Sequence, residues 1–336
     1  MRRRVTALAC AVALALGSAA CTGTDEEPAP DRTPTAPKTG TTPSPTPTPS
    51  RTTPPRSPFT GRAGPQHPVL TVKLANTRSA RPHTGLQAAD LVYVEQVEGG
   101  LSRLMGVYAS RTPRRTGPVR SARESDLELL RQFGHPALAY SGVRSALRDD
   151  MRRAPLRAVN PTTAPKAFER TSGRPVPNNL YLRPAAALRA TQKVSTPRDI
   201  GFRFGPAPEG GTPKRHRTVA YPAARFAFDW SASGNRWLVS MDGSPARVTG
   251  GTRLGPPTVV VQYVTMRPSR FRDVAGAVTP YIETVGSGRA VVLRDGRAYR
   301  VRWKRPSPGA GTRFLLPDGR RMPFARGQVW IVYAER

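Results

Sequence analysis

Residues 72–123 read VKLANTRSARPHTGLQAADLVYVEQVEGGLSRLMGVYASRTPRRTGPVRSAR. Two runs in this stretch are rich in β-formers: Ala88–Val97 (AADLVYVEQV) and Leu101–Ser110 (LSRLMGVYAS). Glu98, Gly99 and Gly100 stand between them as a turn, so the two runs read as paired strands. Upstream, His67–Leu74 (HPVLTVKL) reads as the first strand. Residues 75–87 hold turn formers and a proline, and read as a loop. Downstream, the loop RTPRRTGPVRSAR leads into Glu124–Phe133, whose apolar residues recur at helical spacing, with Ser121 or Ser125 as a cap. Ala137–Tyr140 reads as a buried strand and Ser145–Met151 as a short helix.

Residues 153–216 are proline-rich and irregular, with one helix expected over Ala185–Gln192. The pattern then changes to short β-like runs: Arg217–Trp230, Arg236–Met241, Thr258–Val264, Tyr281–Val285, Ala290–Leu293, Ala298–Lys304 and Gln328–Tyr333. Asp-Gly pairs at 242–243, 295–296 and 318–319 flank them, as at tight hairpins. The reading is α+β: a layered β-sheet core with few helices, a mixed N-terminal half and a mainly antiparallel β C-terminal half. Trp230, Trp237, Trp303 and Trp330 fall within β-like runs and read as core.

The ends carry an address. Arg2, Arg3 and Arg4 precede an apolar run, Val5–Leu16, then small residues and Cys21. This is the layout of a secretory signal, and the run is shorter than the roughly 20 residues a membrane helix needs. A cysteine directly after small residues resembles a bacterial lipobox, which implies cleavage before Cys21 and a lipid on it. Ser18 departs from that pattern, where Leu is usual, and plain cleavage near Ala20 is the alternative. Cys10 lies in the removed segment, so a lipidated chain has no free thiol for a disulfide, a nucleophile or a metal. Residues 22–66 are dominated by Thr, Pro and Ser and read as an extended spacer, able to reach on the order of 100 Å. The domain reading is 1–21 signal and lipobox, 22–66 spacer, 67–205 N-terminal domain, and 206–336 C-terminal β-rich domain.

Charge is lopsided: 53 Lys and Arg against 22 Asp and Glu, a formal +31. Attraction to polyanions and a compositional bias toward arginine both account for it. The export signal argues against nucleic acid. The partners expected are the membrane, through Cys21, and an anionic wall polymer, a peptidoglycan fragment or an envelope protein.

The strings Ala80-Arg81-Pro82-His83 with Gly85-Leu86, Ala89–Tyr93 (ADLVY), Val97–Arg103 (VEGGLSR) and Gly117–Arg123 (GPVRSAR) resemble, in order and spacing, the YerB-like family of bacterial lipoproteins, a domain of unknown function (DUF3048). Pro177–Tyr181 (PNNLY) and the ending GTRFLLPDGRRMPFARGQVWIVYAE resemble later parts of the same family. The resemblance covers essentially the whole mature chain and implies a two-part fold around a layered sheet. It brings no biochemical activity. Three positions depart from the family: Ala75 stands where Asp is frequent, His83 where Gln is, and Asn178 where His is. A catalytic or metal pair built on that Asp and His would be missing here.

Within these motifs, Arg103, Arg120, Ser121 and Arg123 suggest an anion pocket just before a helix start, where free N–H groups and forked guanidiniums favour carboxylate or phosphate. Asn76, Arg81, Glu95, Glu98 and Asn179 join that candidate ligand set. The competing reading pairs Glu95 or Glu98 internally with Arg103 or Arg120. On a strand Glu95 and Glu98 face opposite sides, unless Glu98 lies past the strand end. The function expected is a non-catalytic binding module, with an enzyme on a wall glycan or peptide, using Glu98 as acid/base, as the alternative. His67, His83, His135 and His216 lack metal spacing, and no metal or cofactor is expected.

Overall fold

A computed structural model describes residues 55–272 and 276–336. The signal, Cys21 and the spacer as far as residue 54 lie outside the described residues.

Three strands form as the sequence suggests, with trimmed ends: β1 (Leu70–Ala75), β2 (Leu91–Gln96) and β3 (Ser102–Tyr108). β3 lies between the other two and runs antiparallel to both. Beyond β1, the short strands β4 (Ala137–Ala139) and β5 (Arg157–Val159) add in parallel. On the other flank, β2 pairs in parallel with the last strand of the chain, Val329–Glu335. That strand pairs in parallel with Thr258–Val264, antiparallel strands Gly286–Arg294, Arg297–Arg305 and Arg313–Leu315 follow, and the short strand Thr212–Pro213, paired with Arg297–Arg305, completes the sheet. One eleven-stranded sheet therefore runs through both halves of the sequence. Its central strands read LVYVEQ, VWIVYAE and TVVVQYV. They are apolar on both faces, as strands covered on both sides must be.

Each face has its own cover. A four-stranded sheet, beginning with the hairpin His216–Tyr221 and Ala224–Ser231, lies on one side. It buries Phe226, Phe228 and Trp237 completely, and Phe228 meets Trp330 edge-on at 6.3 Å. The opposite face is covered by α1 (Glu124–Leu130) and an aromatic group of Phe59, Tyr93 and Phe133. α2 (Arg148–Arg153) and α3 (Pro184–Arg189) are short and peripheral to the sheet order. Among the described residues no helix is long and apolar enough to cross a bilayer.

Several expectations change. The folded part begins before residue 67: Phe59 is fully buried and packs on Phe133 at 5.4 Å, so residues from about 55 belong to the fold and not to the spacer. The single run Arg217–Trp230 is a hairpin, closed at Pro222-Ala223 between paired Tyr221 and Ala224. That turn carries no Asp-Gly signature. Asp242-Gly243 and Asp295-Gly296 do close two-residue turns, with positive φ at both residues (51° and 80°; 50° and 68°). The stretch 153–216 contains β5, β6 (Phe168–Arg170) and β7 (Leu180–Leu182), each too short to show an alternation. Met266–Arg272 is also a strand, its pattern hidden by arginines and a proline. The α1 cap is neither Ser121 nor Ser125. Ser125 lies inside the helix and its hydroxyl accepts the Ile282 N–H at 2.9 Å.

His83 is sealed inside, its Nε2–H donating to the Ala75 carbonyl at 2.8 Å. Burial lowers its pKa to about 4. The unfolded chain therefore binds a proton that the folded chain refuses, and stability falls as pH drops from about 6.5 toward 4. Between pH 7 and pH 5 this one group should remove about 2 kcal/mol. Urea unfolding at the two pH values should show that loss in the native chain and a smaller one in His83→Gln; an equal loss in both would refute the assignment.

Candidate site: a buried charge cluster beneath the first helix

The register puts charges on one face of three strands. Ala75 of β1 and Glu95 of β2 both lie opposite Arg103 of β3, and Lys73 lies opposite Met105. Directly opposed residues share a face, so Lys73, Glu95 and Arg103 point the same way, toward α1. Lys73 is fully buried. Its ammonium contacts Glu95 Oε2 and donates to Asp126 Oδ1 at 2.6 Å. Burial lowers the Lys73 pKa, and Asp126 opposes that shift. Glu95 Oε1 has no hydrogen-bond partner among the described residues.

Asp126 has a second task. Its Oδ2 accepts the Arg123 N–H at 2.7 Å, satisfying a donor at the start of α1. The helix start expected to hold a ligand anion thus holds a carboxylate of its own first turn.

Glu98 lies past the end of β2 in a 3-10 turn, so the strand alternation does not separate it from Glu95. Both oxygens meet Arg123: Oε1 at Nε, and Oε2 at Nη2 at 2.9 Å. Thr279 donates to Oε1 at 2.6 Å, and Arg103 Nη2 is 3.7 Å from Oε2. Burial would raise the carboxyl, but Arg123, Thr279 and Arg103 outweigh it and hold its pKa at about 2. The sequence offers Arg103 or Arg120 as the internal partner of Glu98; the main partner is instead Arg123, with Arg103 the weaker one and Arg120 unpaired with it. Arg103 also donates to the Ser121 carbonyl at 3.1 Å; burial, with Arg123 nearby, brings its guanidinium down to about 9.

Arg120 is the remainder. Its N–H donates to the Lys73 carbonyl at 2.8 Å, which stitches residues 118–120 to the end of β1. Its side chain forms no ion pair among the described residues, and burial and then Arg123 lower its pKa. Four cations (Lys73, Arg103, Arg120, Arg123) face three anions (Glu95, Glu98, Asp126), which leaves 4 − 3 = +1.

Other candidate residues lie elsewhere. Asn76 donates to Ser102 Oγ at 2.8 Å, and Arg81 donates to Asn76 Oδ1 at 3.0 Å and pairs with Asp242 at 2.8 Å. That places both where the first half meets the hairpin sheet, one residue out of phase with the Lys73 face. Asn179 accepts from Arg170 at 2.7 Å, between β6 and β7. Ser121 enters the cluster through its carbonyl. Lys73, Asp126 and Glu128 were not anticipated. Lys73 and Glu95 had left a signal, single opposite charges inside apolar strands. Glu128 accepts from Thr284, Val285 and Tyr281, and buried Arg305 donates to the Glu128 carbonyl at 2.8 Å, fastening residues 279–285 to α1.

Lys73→Met would leave Glu95 and Asp126 buried beside each other without their cation. We expect a loss of about 3–5 kcal/mol in chemical denaturation, part of it recovered by adding Glu95→Gln. A loss below about 1 kcal/mol would show that the amine does not hold this site together.

The DUF3048 N-terminal domain, described as a protein of unknown function, matches residues 58–197, and its C-terminal domain matches residues 217–331. A relative in Bacillus subtilis (strain 168), provisionally named lipoprotein YerB, is 22% identical over 290 residues, covering 82% of this chain and 85% of the relative. The crystal structure of the YerB protein from Bacillus subtilis superposes with a TM-score of 0.70 at 20% identity, covering 83% of this chain and 96% of that one. At that identity the superposition speaks for the fold. The two domain matches together span most of the sequence, so this chain belongs to the DUF3048 family.

Proposed function

We propose that this is an exported, lipid-anchored envelope protein, held by Cys21, whose folded part binds a wall component or a membrane-protein partner without chemistry. The anchor reading rests on the Arg-apolar-small-Cys opening of the sequence and on the lipoprotein name of the Bacillus subtilis relative. The observation that carries the binding reading is the closure of Glu98. Its two oxygens are taken by Arg123 and Thr279, and its pKa near 2 is far from that of a proton donor at neutral pH. A general acid would need a raised pKa and an open path to substrate. Glu95 and Asp126 are committed to Lys73.

Two measurements test this reading. Cys21→Ser should move the chain from the membrane fraction to the soluble one; unchanged membrane retention would refute the anchor. Purified mature chain mixed with muropeptides or teichoic-type polymers should be stabilised thermally, by about 2.7 kcal/mol at a hundredfold excess over Kd, with the fragments recovered intact. Fragment turnover that disappears in Glu98→Gln would overturn the non-catalytic reading.

A further inference from the structure

A cavity of about 630 Å³ lies between the end of β1, the start of β3 and the hairpin turn Tyr221–Ala224. We propose that it binds a small anionic molecule through Arg78 and Arg225, with a short apolar substituent placed against Leu101 and Pro222. This rests on the binding reading above and adds where the ligand sits and what chemistry it carries.

Both guanidiniums are available. Arg78 and Arg225 line the cavity, are exposed, and form no ion pair among the described residues. The nearest acid, Asp242, is already occupied: Arg81 neutralises it at 2.8 Å, and its other oxygen accepts the Arg225 main-chain N–H at 2.7 Å. The wall therefore presents uncompensated positive charge, in a chain whose +31 excess draws anions toward it. Two forked guanidiniums suit a carboxylate or a phosphate.

Deeper in the cavity, buried Ser102 accepts from Asn76 at 2.8 Å, which leaves its own hydroxyl proton to donate. Leu101 is 41% exposed, an unusual state for a large apolar side chain in this fold, and it too lines the cavity. A ligand with one anionic and one apolar end meets both features. The volume falls within the roughly 300–1,000 Å³ typical of small-molecule sites.

The walls are also held in place. Arg81 ties Asn76 to Asp242, and the Ala223 N–H donates to the Gly100 carbonyl at 3.0 Å. Gly100 has φ +68°, and a Cβ there would stand 2.5 Å from Pro222, so only glycine lets the hairpin turn come this close. A preformed site loses less freedom on binding. Among the described residues, the comparable cavity of about 580 Å³ beside β4 and β5 offers one unpaired guanidinium, Arg148, where this one offers two: Arg152 is paired with Asp149, and Asn160 Oδ1 is taken by the Thr162 and Thr163 N–H groups.

Titration calorimetry on the mature chain provides the test, with acetyl-alanyl-alanine, its C-terminal amide and glycerol 3-phosphate as probes. The acid or the phosphate should bind, and which of them does so identifies the oxyanion. The amide should bind at least about tenfold more weakly than the acid, and Arg78→Gln and Arg225→Gln should each weaken binding by about tenfold, with Arg225→Lys intermediate. Raised salt should weaken binding further. Leu101→Ala should weaken the dipeptide more than the glycerol phosphate. Failure of all three probes to bind would overturn the site. So would muropeptide or polymer stabilisation that persists unchanged in the double variant Arg78→Gln/Arg225→Gln, although the binding reading would then stand. If those larger ligands also fail to stabilise the native chain, both readings fall.

Discussion

The Lys73 amine, with no access to water, is held between Glu95 and Asp126, and three elements of the fold meet at it. Isolating a cation in an apolar sheet face is costly, and the cost is offset only if its partners are delivered with good geometry. The three residues come from β1, β2 and the first turn of α1, so the helix must dock in one place over one strand pair. Asp126 also satisfies the Arg123 N–H, which joins the position of the helix start to the same interaction. The cluster is thus a registration device: a one-residue slip of β1 against β3 would turn Lys73 away from Asp126 and toward the opposite face.

The same logic extends into the second half of the chain. Arg123 is oriented by Glu98, Glu98 is bridged to Thr279, and Ser125 and Glu128 of α1 bind the segment 279–285. Arg305, fully buried, closes on the carbonyls at the end of α1. Together with the last strand lying between β2 and Thr258–Val264, these ties make the two family domains parts of one sheet, and both contribute to the apolar cluster on each of its faces. Of the two arginines of the GPVRSAR segment, Arg123 is consumed by this work and Arg120 contributes through its main chain. The cations left uncommitted around Arg78 and Arg225 lie at the other side of the sheet, against the hairpin, and ligand binding is assigned there.

Much of this was legible in the residues. β1, β2 and β3 and the Glu98–Gly100 turn follow from apolar runs bounded by glycine, and the Asp-Gly turns at 242 and 295 follow from their need for positive φ. That Glu98 pairs internally was visible as an alternative to a ligand pocket, but its main partner, Arg123, was not. What stayed hidden was non-local. Nothing in VWIVYAE says that its neighbours will be β2 and Thr258–Val264. Asp126 reads as an ordinary first-turn acid until the helix is placed over Lys73. Phe59, a single aromatic ring in a Pro- and Thr-rich stretch, gives no periodicity, and only its packing on Phe133 explains it. The Pro222-Ala223 turn lacks the usual residues because its conformation is supported from outside, by the Gly100 carbonyl.

The central claim is that Arg123, with Arg103 beside it, is held beneath α1 by the chain's own Glu98 and does not wait for a ligand. A double-mutant cycle on Glu98→Gln and Arg123→Gln, read as unfolding free energy, measures that directly. The account predicts a coupling of about 1.5–3 kcal/mol, as for neighbours in one buried network. Additive losses within about 0.5 kcal/mol would contradict it and return Arg123 to the search for a ligand.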